Sequence, residues 1–258
     1  MIFDSHAHYD DGAFDADREE ILSQCINQGI GHIVNVSSSL ESVKTTLSLA
    51  EKYPFIYAAV GIHPDEAGQL NEESFAWLKE QCGNPRTVAV GEIGLDYYWD
   101  KENHETQKYW FERQIELAKE LELPIIVHSR EACADTLEQI RKAHTEKLKG
   151  VIHCFSYSPE VAQEYVEMGY YIGVGGVVTF KNARKLKEVV DVLPVERILL
   201  ETDCPYLAPV PNRGKRNSSL NLPYVAAAVA ELKGMTPEEI IRITDENVRN
   251  LYLQGRDI

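Results

Sequence analysis

Thr87-Val88-Ala89-Val90-Gly91-Glu92 is a short branched run that ends in a carboxylate, and its reading decides the fold. Alternate residues of an extended strand share a side, so Val88 and Val90 are expected on one face with Glu92 above them. The same arrangement recurs along the chain. Strand one ends in Asp4-Ser5-His6-Ala7-His8, Ile126 precedes His128, Val151 precedes His153, and Leu199 precedes Glu201 and Asp203.

Runs of this kind at 2–8, 32–37, 56–63, 87–92, 124–128, 150–155, 170–174 and 198–203 recur every 22 to 36 residues. Amphipathic segments at 17–27, 40–53, 72–81, 105–121, 133–147, 159–168, 183–193 and 223–233 fill the gaps with helical periodicity. Ser158-Pro159-Glu160 is expected to set a capping hydroxyl before a proline at the first helical position, and Gly169 to stop that helix. Thr236-Pro237-Glu238-Glu239 reads as a capping box opening a ninth helix. One strand, one helix and two short loops, repeated eight times, predict an α/β fold of the TIM (β/α)8 barrel type with an extra C-terminal helix. No linker or composition shift interrupts the pattern, so residues 1–258 are expected to form a single domain. An open doubly wound sheet is the rival, but no G-x-G-x-x-G follows the first strand.

The 258 residues, 44% hydrophobic, suffice for one sizeable core. Twenty-six basic against 41 acidic side chains leave a formal charge of -15, which excludes a polybasic protein that coats nucleic acid through its overall field. It does not exclude a local phosphate site. No apolar run reaches the roughly 18 residues that span a bilayer, and the N-terminus lacks a secretory pattern, so a soluble, cytoplasmic chain without a membrane partner is expected. Five scattered cysteines without a C-x-x-C pair read as reduced thiols.

Four imidazoles (His6, His8, His128, His153) and two carboxylates (Glu92, Asp203) are thus expected at the C-terminal mouth of the barrel. A lone histidine in a strand is more often a hydrogen-bonded structural residue than a ligand, and His32, His104 and His144 are read that way. The remaining set differs because Glu92 and Asp203 have no lysine or arginine at their strand ends, and unpaired charges in a dry barrel are costly. Divalent metal is the simplest partner. Nitrogen and oxygen ligation suits Zn, Mn, Mg or Co, and six ligands point to two ions rather than one.

The segments Asp4-Ser5-His6-Ala7-His8, Gly61-Ile62-His63-Pro64, Gly91-Glu92-Ile93-Gly94-Leu95-Asp96-Tyr97, Val127-His128-Ser129-Arg130, His153-Cys154-Phe155, Glu201-Thr202-Asp203 and Val210-Pro211-Asn212-Arg213-Gly214-Lys215-Arg216-Asn217 resemble, in order, the TatD family of metal-dependent deoxyribonucleases. The resemblance implies that His6, His8, Glu92 and Asp203 hold one ion and that Glu92, His128 and His153 hold the other, with Glu92 bridging. It implies hydrolysis of DNA phosphodiesters, commonly from 3′ to 5′, with Mg, Mn or Zn as cofactor. The family usually has a histidine where this chain has Asn212. The related phosphotriesterases bridge their metals with a carboxylated lysine at the place that Glu92 takes here.

A metal-activated water attacking phosphorus is expected, with Asp203 as general base as well as ligand. His63, at the same mouth, and the basic cluster Arg213, Lys215 and Arg216, ten or so residues after Asp203, are the expected contacts to the DNA substrate. Glu201 and Asp4, of the same parity as neighbouring ligands, are expected to accept hydrogen bonds from ligand imidazoles one layer deeper. Asp96 and Tyr97 are expected in a loop that shapes the groove. Cys154 and Cys204, of opposite parity, are expected outside the lumen. The sequence calls for no obligate protein partner. Two rivals remain: a hydrolase of a small-molecule amide, lactone or phosphate ester on the same barrel, and a catalytically silent scaffold. The complete ligand set speaks against the scaffold.

Overall fold

The computed structural model describes residues 1–254, and the last four residues of the expected 1–258 unit lie outside the described residues. Among the described residues, eight strands alternate with eight α-helices and a ninth helix follows. The order is β1 (Ile2–Ala7), α1 (Arg18–Asn27), β2 (Ile30–Val36), α2 (Leu40–Lys52), β3 (Ile56–Ala59), α3 (Glu72–Cys82), β4 (Thr87–Asp96), α4 (His104–Glu120), β5 (Ile125–Arg130), α5 (Cys133–Ala143), β6 (Gly150–Ile152), α6 (Pro159–Glu167), β7 (Tyr171–Val174), α7 (Arg184–Val192), β8 (Ile198–Leu200), α8 (Leu222–Lys233) and α9 (Pro237–Tyr252). The strands are parallel and pair in sequence order from β1 to β8. Asp203 N–H donates to the His6 carbonyl and His8 N–H to the Cys204 carbonyl, both at 2.9 Å, so the seam between the last strand and the first is stitched at the mouth. The barrel expected from the sequence is the fold adopted.

Two apolar layers result. Val34, Val36, Tyr57, Val88, Ile126, Val151 and Leu199 pack inside the lumen, and a larger cluster lies between strands and helices. Val248, Leu251 and Tyr252 of α9 join the lumen cluster and plug its N-terminal end. Burying each such aliphatic side chain contributes about 1.5–3 kcal/mol. The α9 capping box is formed: Thr236 accepts from Glu239 N–H, and the Glu239 carboxylate accepts from Thr236 N–H. At α6 the proline stands at the expected first position, but the Ser158 hydroxyl makes no bond to the helix backbone. No described helix is long and apolar enough to cross a membrane.

Strict alternation along the strands does not survive. Val88 and Ala89 both pack in the lumen and Val90 in the outer layer, because the β3–β4 register shifts between Thr87 and Ala89; a second shift, against β5, follows between Val90 and Ile93. A similar shift in β1, between Asp4 and Ala7, leaves Phe3 inside and Ala7 outside. Such bulges re-aim the side chains that follow them, and here those are His6, His8 and Glu92. β4 also runs beyond Glu92 to Asp96, so Asp96 is a strand residue rather than a loop residue. By contrast β3, β6 and β8 stop short, placing His63, His153 and Asp203 on the segments just past them. Two glycines explain how close β4 and β5 come. A Cβ on Gly91 would lie 2.6 Å from the Ile126 Cβ, and one on Gly94, whose φ is +147°, would run into the His128 carbonyl.

Candidate metal centre

Glu92 is the hub of the C-terminal mouth, 3% exposed and surrounded by imidazoles. Its Oε1 lies 2.8 Å from His128 Nδ1 and 2.8 Å from His153 Nε2. Its Oε2 faces the other way, 3.4 Å from His6 Nε2 and 3.7 Å from His8 Nε2. One carboxylate therefore serves two sets of nitrogens. Burial opposes its ionisation, but His153, His6 and the hydrogen bonds from His128 and His153 hold its pKa well below the ordinary carboxylate value.

Asp203 completes the first set, with Oδ1 3.4 Å from His8 Nε2 and 3.8 Å from His6 Nε2. Its backbone is left-handed at φ +55°, an unusual conformation for aspartate and one that recurs at functional sites. Burial works against the charged form here as well, yet the hydrogen bond from His8, with His153 and His6, lowers its pKa. His8 Nδ1 lies 2.8 Å from the Val36 carbonyl, which fixes the ring and leaves Nε2 aimed at the carboxylates. Burial lowers His8, but Asp203 and Glu92 outweigh it and raise its pKa to about 10, whereas burial and His153 bring His6 down to about 4. Two rings two residues apart thus sit on opposite sides of neutrality.

The donor set fits divalent cations. His6 Nε2 and His8 Nε2 approach to 3.0 Å, and with Glu92 Oε2 and Asp203 Oδ1 they form a cluster with edges of 3.0–3.8 Å. Bonds of about 2.0–2.2 Å from one ion to neighbouring nitrogen and oxygen ligands produce edges close to these. The buried Nδ1 atoms of His6 and His153 and Oε2 of Glu201 also lack hydrogen-bond partners. Three metal-capable triads overlap in this region: His6, His8 and Asp203; His6, His153 and Glu201; His63, Glu92 and His128. All six residues expected as ligands come together, and His63, expected as a substrate contact, joins them. Its Nε2 lies 3.8 Å from Glu92 Oε1, and its ring meets His128 edge-on at 4.3 Å. Burial and His128 lower its pKa to about 3.

The two expected supporting carboxylates are placed differently. Asp4 accepts no hydrogen bond from an imidazole. It faces outward next to the inward Phe3, its parity with His6 broken by the shift that follows it, and accepts from Thr202 Oγ1 at 2.7 Å, Ser219 Oγ at 2.6 Å and Thr202 N–H at 3.0 Å. It braces the strand ends instead. Glu201 lies beneath the stacked rings of His6 and His153, whose centroids are 4.0 Å apart, but 3.8 Å from His153 Nδ1 is beyond hydrogen-bond reach. Its bond comes from Cys154 N–H at 2.6 Å, and burial pushes its pKa up to about 8. Cys204 packs in the outer layer as expected. His32 and His104 pack against Phe3 and Tyr97, in keeping with structural roles.

Sequence reasoning missed the part played by Asp96. It is 1% exposed, and its Oδ2 lies 3.0 Å from His128 Nε2. Its spacing of four from Glu92, on the same strand, was the available signal.

Above the cluster opens a cavity of about 610 Å³ lined by, among others, Asp10, Asp65, Trp99, Arg130, Tyr206 and Leu207. Of the expected substrate contacts, His63 lines it, whereas Arg213, Lys215 and Arg216 do not. Arg216 forms an ion pair with Asp17 and lies 4.8 Å over the Phe14 ring, so its guanidinium clamps the loop to the segment after β1. Arg213 covers the Phe180 ring at 4.3 Å, and Lys215 is exposed beside Asn212. Asn212 itself donates to Asn221 Oδ1, and buried Asn217 donates to the Thr202 carbonyl, both at 2.9 Å. Twelve residues lie between Asp203 and Arg216, enough for the loop to fold back, which linear spacing does not reveal.

The sequence profile of the TatD related DNase family matches residues 3–253. The chain is 46% identical over 252 residues to the uncharacterized metal-dependent hydrolase YabD of Bacillus subtilis, covering 98% of this chain and 99% of that one. It is 38% identical to the uncharacterized metal-dependent hydrolase TatD of Mycobacterium tuberculosis, covering 98% of each. The crystal structure of YjjV, a TatD homologue from Escherichia coli, superposes with a TM-score of 0.92 at 33% identity over 97% of both chains.

Proposed function

The chain belongs to the TatD-related DNase family of metal-dependent hydrolases, and from that premise we propose that it hydrolyses DNA phosphodiester bonds, removing nucleotides from 3′ ends. The observation that carries this reading is the division of Glu92, one oxygen toward His6 and the other toward His128 and His153. His6, His8, Glu92 and Asp203 would hold one divalent ion, and Glu92, His128 and His153 the second, with Mg, Mn or Zn as the candidates. Ions so held supply Lewis acidity, acidifying water towards a pKa of about 7 and neutralising phosphoryl oxygens.

The chain's own residues do the rest. Asp203, ionised and open to the cavity, takes a proton from the attacking water and delivers it to the 3′-oxygen as the P–O3′ bond breaks. Glu92 keeps the buried imidazoles in place. The Val36 carbonyl orients His8, and Asp96 orients His128. Incubation of the pure protein with end-labelled single- and double-stranded DNA, with Mg, Mn, Zn or chelator, tests the reading. A metal-dependent ladder shortening from the 3′ end supports it, and intact DNA under every condition overturns it.

One observation favours a second reading. Arg130 is the one arginine or lysine lining the described cavity, against Asp10, Asp11, Asp65, Asp96, Glu92 and Asp203. A small amide, lactone or phosphate ester needs no basic track for a polymer backbone, so hydrolysis of such a compound is the alternative. Turnover of small esters combined with intact DNA would establish it.

A further inference from the structure

Trp99 stands at the rim of the catalytic cavity with 65% of its surface exposed, while Trp77 is half-buried and Trp110 buried. Leaving an indole in water is unfavourable, and Tyr206 and Leu207, also exposed and also lining the cavity, join Trp99 in an apolar rim of the kind that marks a contact surface. The ring is not loose. Asp96 Oδ1 accepts the N–H groups of Tyr98 and Trp99 at 2.8 and 2.9 Å, so the turn after β4 is pinned. Tyr98 meets Trp99 edge-on at 4.7 Å, and the Arg130 guanidinium lies 4.1 Å from the Tyr98 ring centroid and 5.4 Å from that of Trp99. Arg130 is also the single arginine or lysine of the cavity lining among the described residues. The other oxygen of Asp96 is 3.0 Å from His128 Nε2, so one carboxylate sets both the platform and the metal-site imidazole.

We propose that Trp99, backed by Tyr98 and Arg130, is a stacking platform for the base of the nucleotide that adjoins the scissile phosphate. A pinned aromatic face beside a guanidinium suits a planar, π-rich group joined to an anion, and a nucleobase with its phosphate is that combination. Stacking is tolerant of base identity, so the platform selects for the presence of a base rather than for a sequence. The inference rests on the DNA reading for the identity of its occupant.

Two measurements on the full chain with Mn test it. The first is tryptophan fluorescence during titration with dAMP and, separately, with deoxyribose 5-phosphate. The platform predicts quenching by the nucleotide only, and loss of that quenching in Trp99→Phe, since Trp77 and Trp110 remain. The second is kcat/KM on a single-stranded oligonucleotide with an ordinary nucleotide at the cleaved end and on its abasic counterpart. We expect the base to raise kcat/KM by roughly tenfold to a hundredfold, Trp99→Ala to erase that difference, and Trp99→Phe to restore much of it. Equal quenching by both ligands, or a base preference that Trp99→Ala leaves intact, overturns the platform. If no DNA is cleaved with any metal, the DNA reading fails, and the fluorescence comparison still decides whether Trp99 stacks on a base.

Discussion

Asp96 reaches His128 Nε2 with Oδ2 at 3.0 Å while its Oδ1 holds the backbone of Tyr98 and Trp99, so a single buried carboxylate joins the metal cluster to the rim of the cavity. Removing the partner of a ligand imidazole typically costs tenfold to a hundredfold in metal affinity. Asp96→Asn is therefore expected to weaken divalent-metal binding, measured by isothermal titration calorimetry, by roughly that factor. Unchanged affinity would mean that His128 needs no support from Asp96.

Glu92 serves both nitrogen sets, so Glu92→Gln should affect both ions at once. Metal content by elemental analysis is expected to fall from two per chain to one or none, with loss of turnover. Two ions retained at full affinity would remove Glu92 as the bridge.

Asp203→Asn keeps the size of the side chain and removes its basicity. We expect the far-UV circular dichroism spectrum to be unchanged and kcat to fall by about 10²- to 10⁴-fold, the usual contribution of a general base. Turnover within a factor of a few of the parent would take Asp203 out of the proton transfer.

The fold-back of the basic loop reverses a simple expectation about salt. Arg216 is engaged by Asp17 and Phe14, whereas Arg130 lines the cavity. Arg130→Ala should reduce the slope of log affinity for single-stranded DNA against log salt by about 0.7, one phosphate contact, while Arg216→Ala should leave the slope and lower thermal stability slightly. The opposite pattern would return the phosphate contact to the loop.

Leu251 of α9 is 6% exposed and plugs the end of the barrel remote from the centre. Leu251→Ala is expected to cost about 2–5 kcal/mol in urea denaturation without changing kcat of the folded fraction. A parallel loss of kcat would show that the plug communicates with the mouth.

Much of the candidate site was legible because its residues sit at or near the ends of strands, where a branched run followed by His, Glu or Asp is visible without a structure. His6, His8, Glu92, His128, His153 and Asp203 were singled out that way, and the fold brings them together. Register shifts in β1 and β4 break the alternation, so Asp4 and Val90, assigned to the lumen by counting in twos, face outward. The β1 shift carries no glycine signal at all, and in β4 Gly91 and Gly94 are equally consistent with an unbroken strand next to a close neighbour. Substrate contacts were the least legible. Arg213, Lys215 and Arg216 form a conspicuous basic cluster, yet where a loop of that length lies depends on partners such as Asp17, Phe14 and Phe180, remote in sequence.

By itself the sequence determined the repeating strand and helix units, the barrel and the six candidate ligands at its mouth, because hydrophobic periodicity and residue chemistry are local properties. Only the tertiary structure decided that one carboxylate, Glu92, stands between two imidazole sets, that Asp96 ties His128 to Trp99, and that the basic loop is clamped away from the cavity. Those are distances between side chains far apart along the chain. They depend on register shifts and loop paths, which follow from packing the whole barrel and not from any one segment.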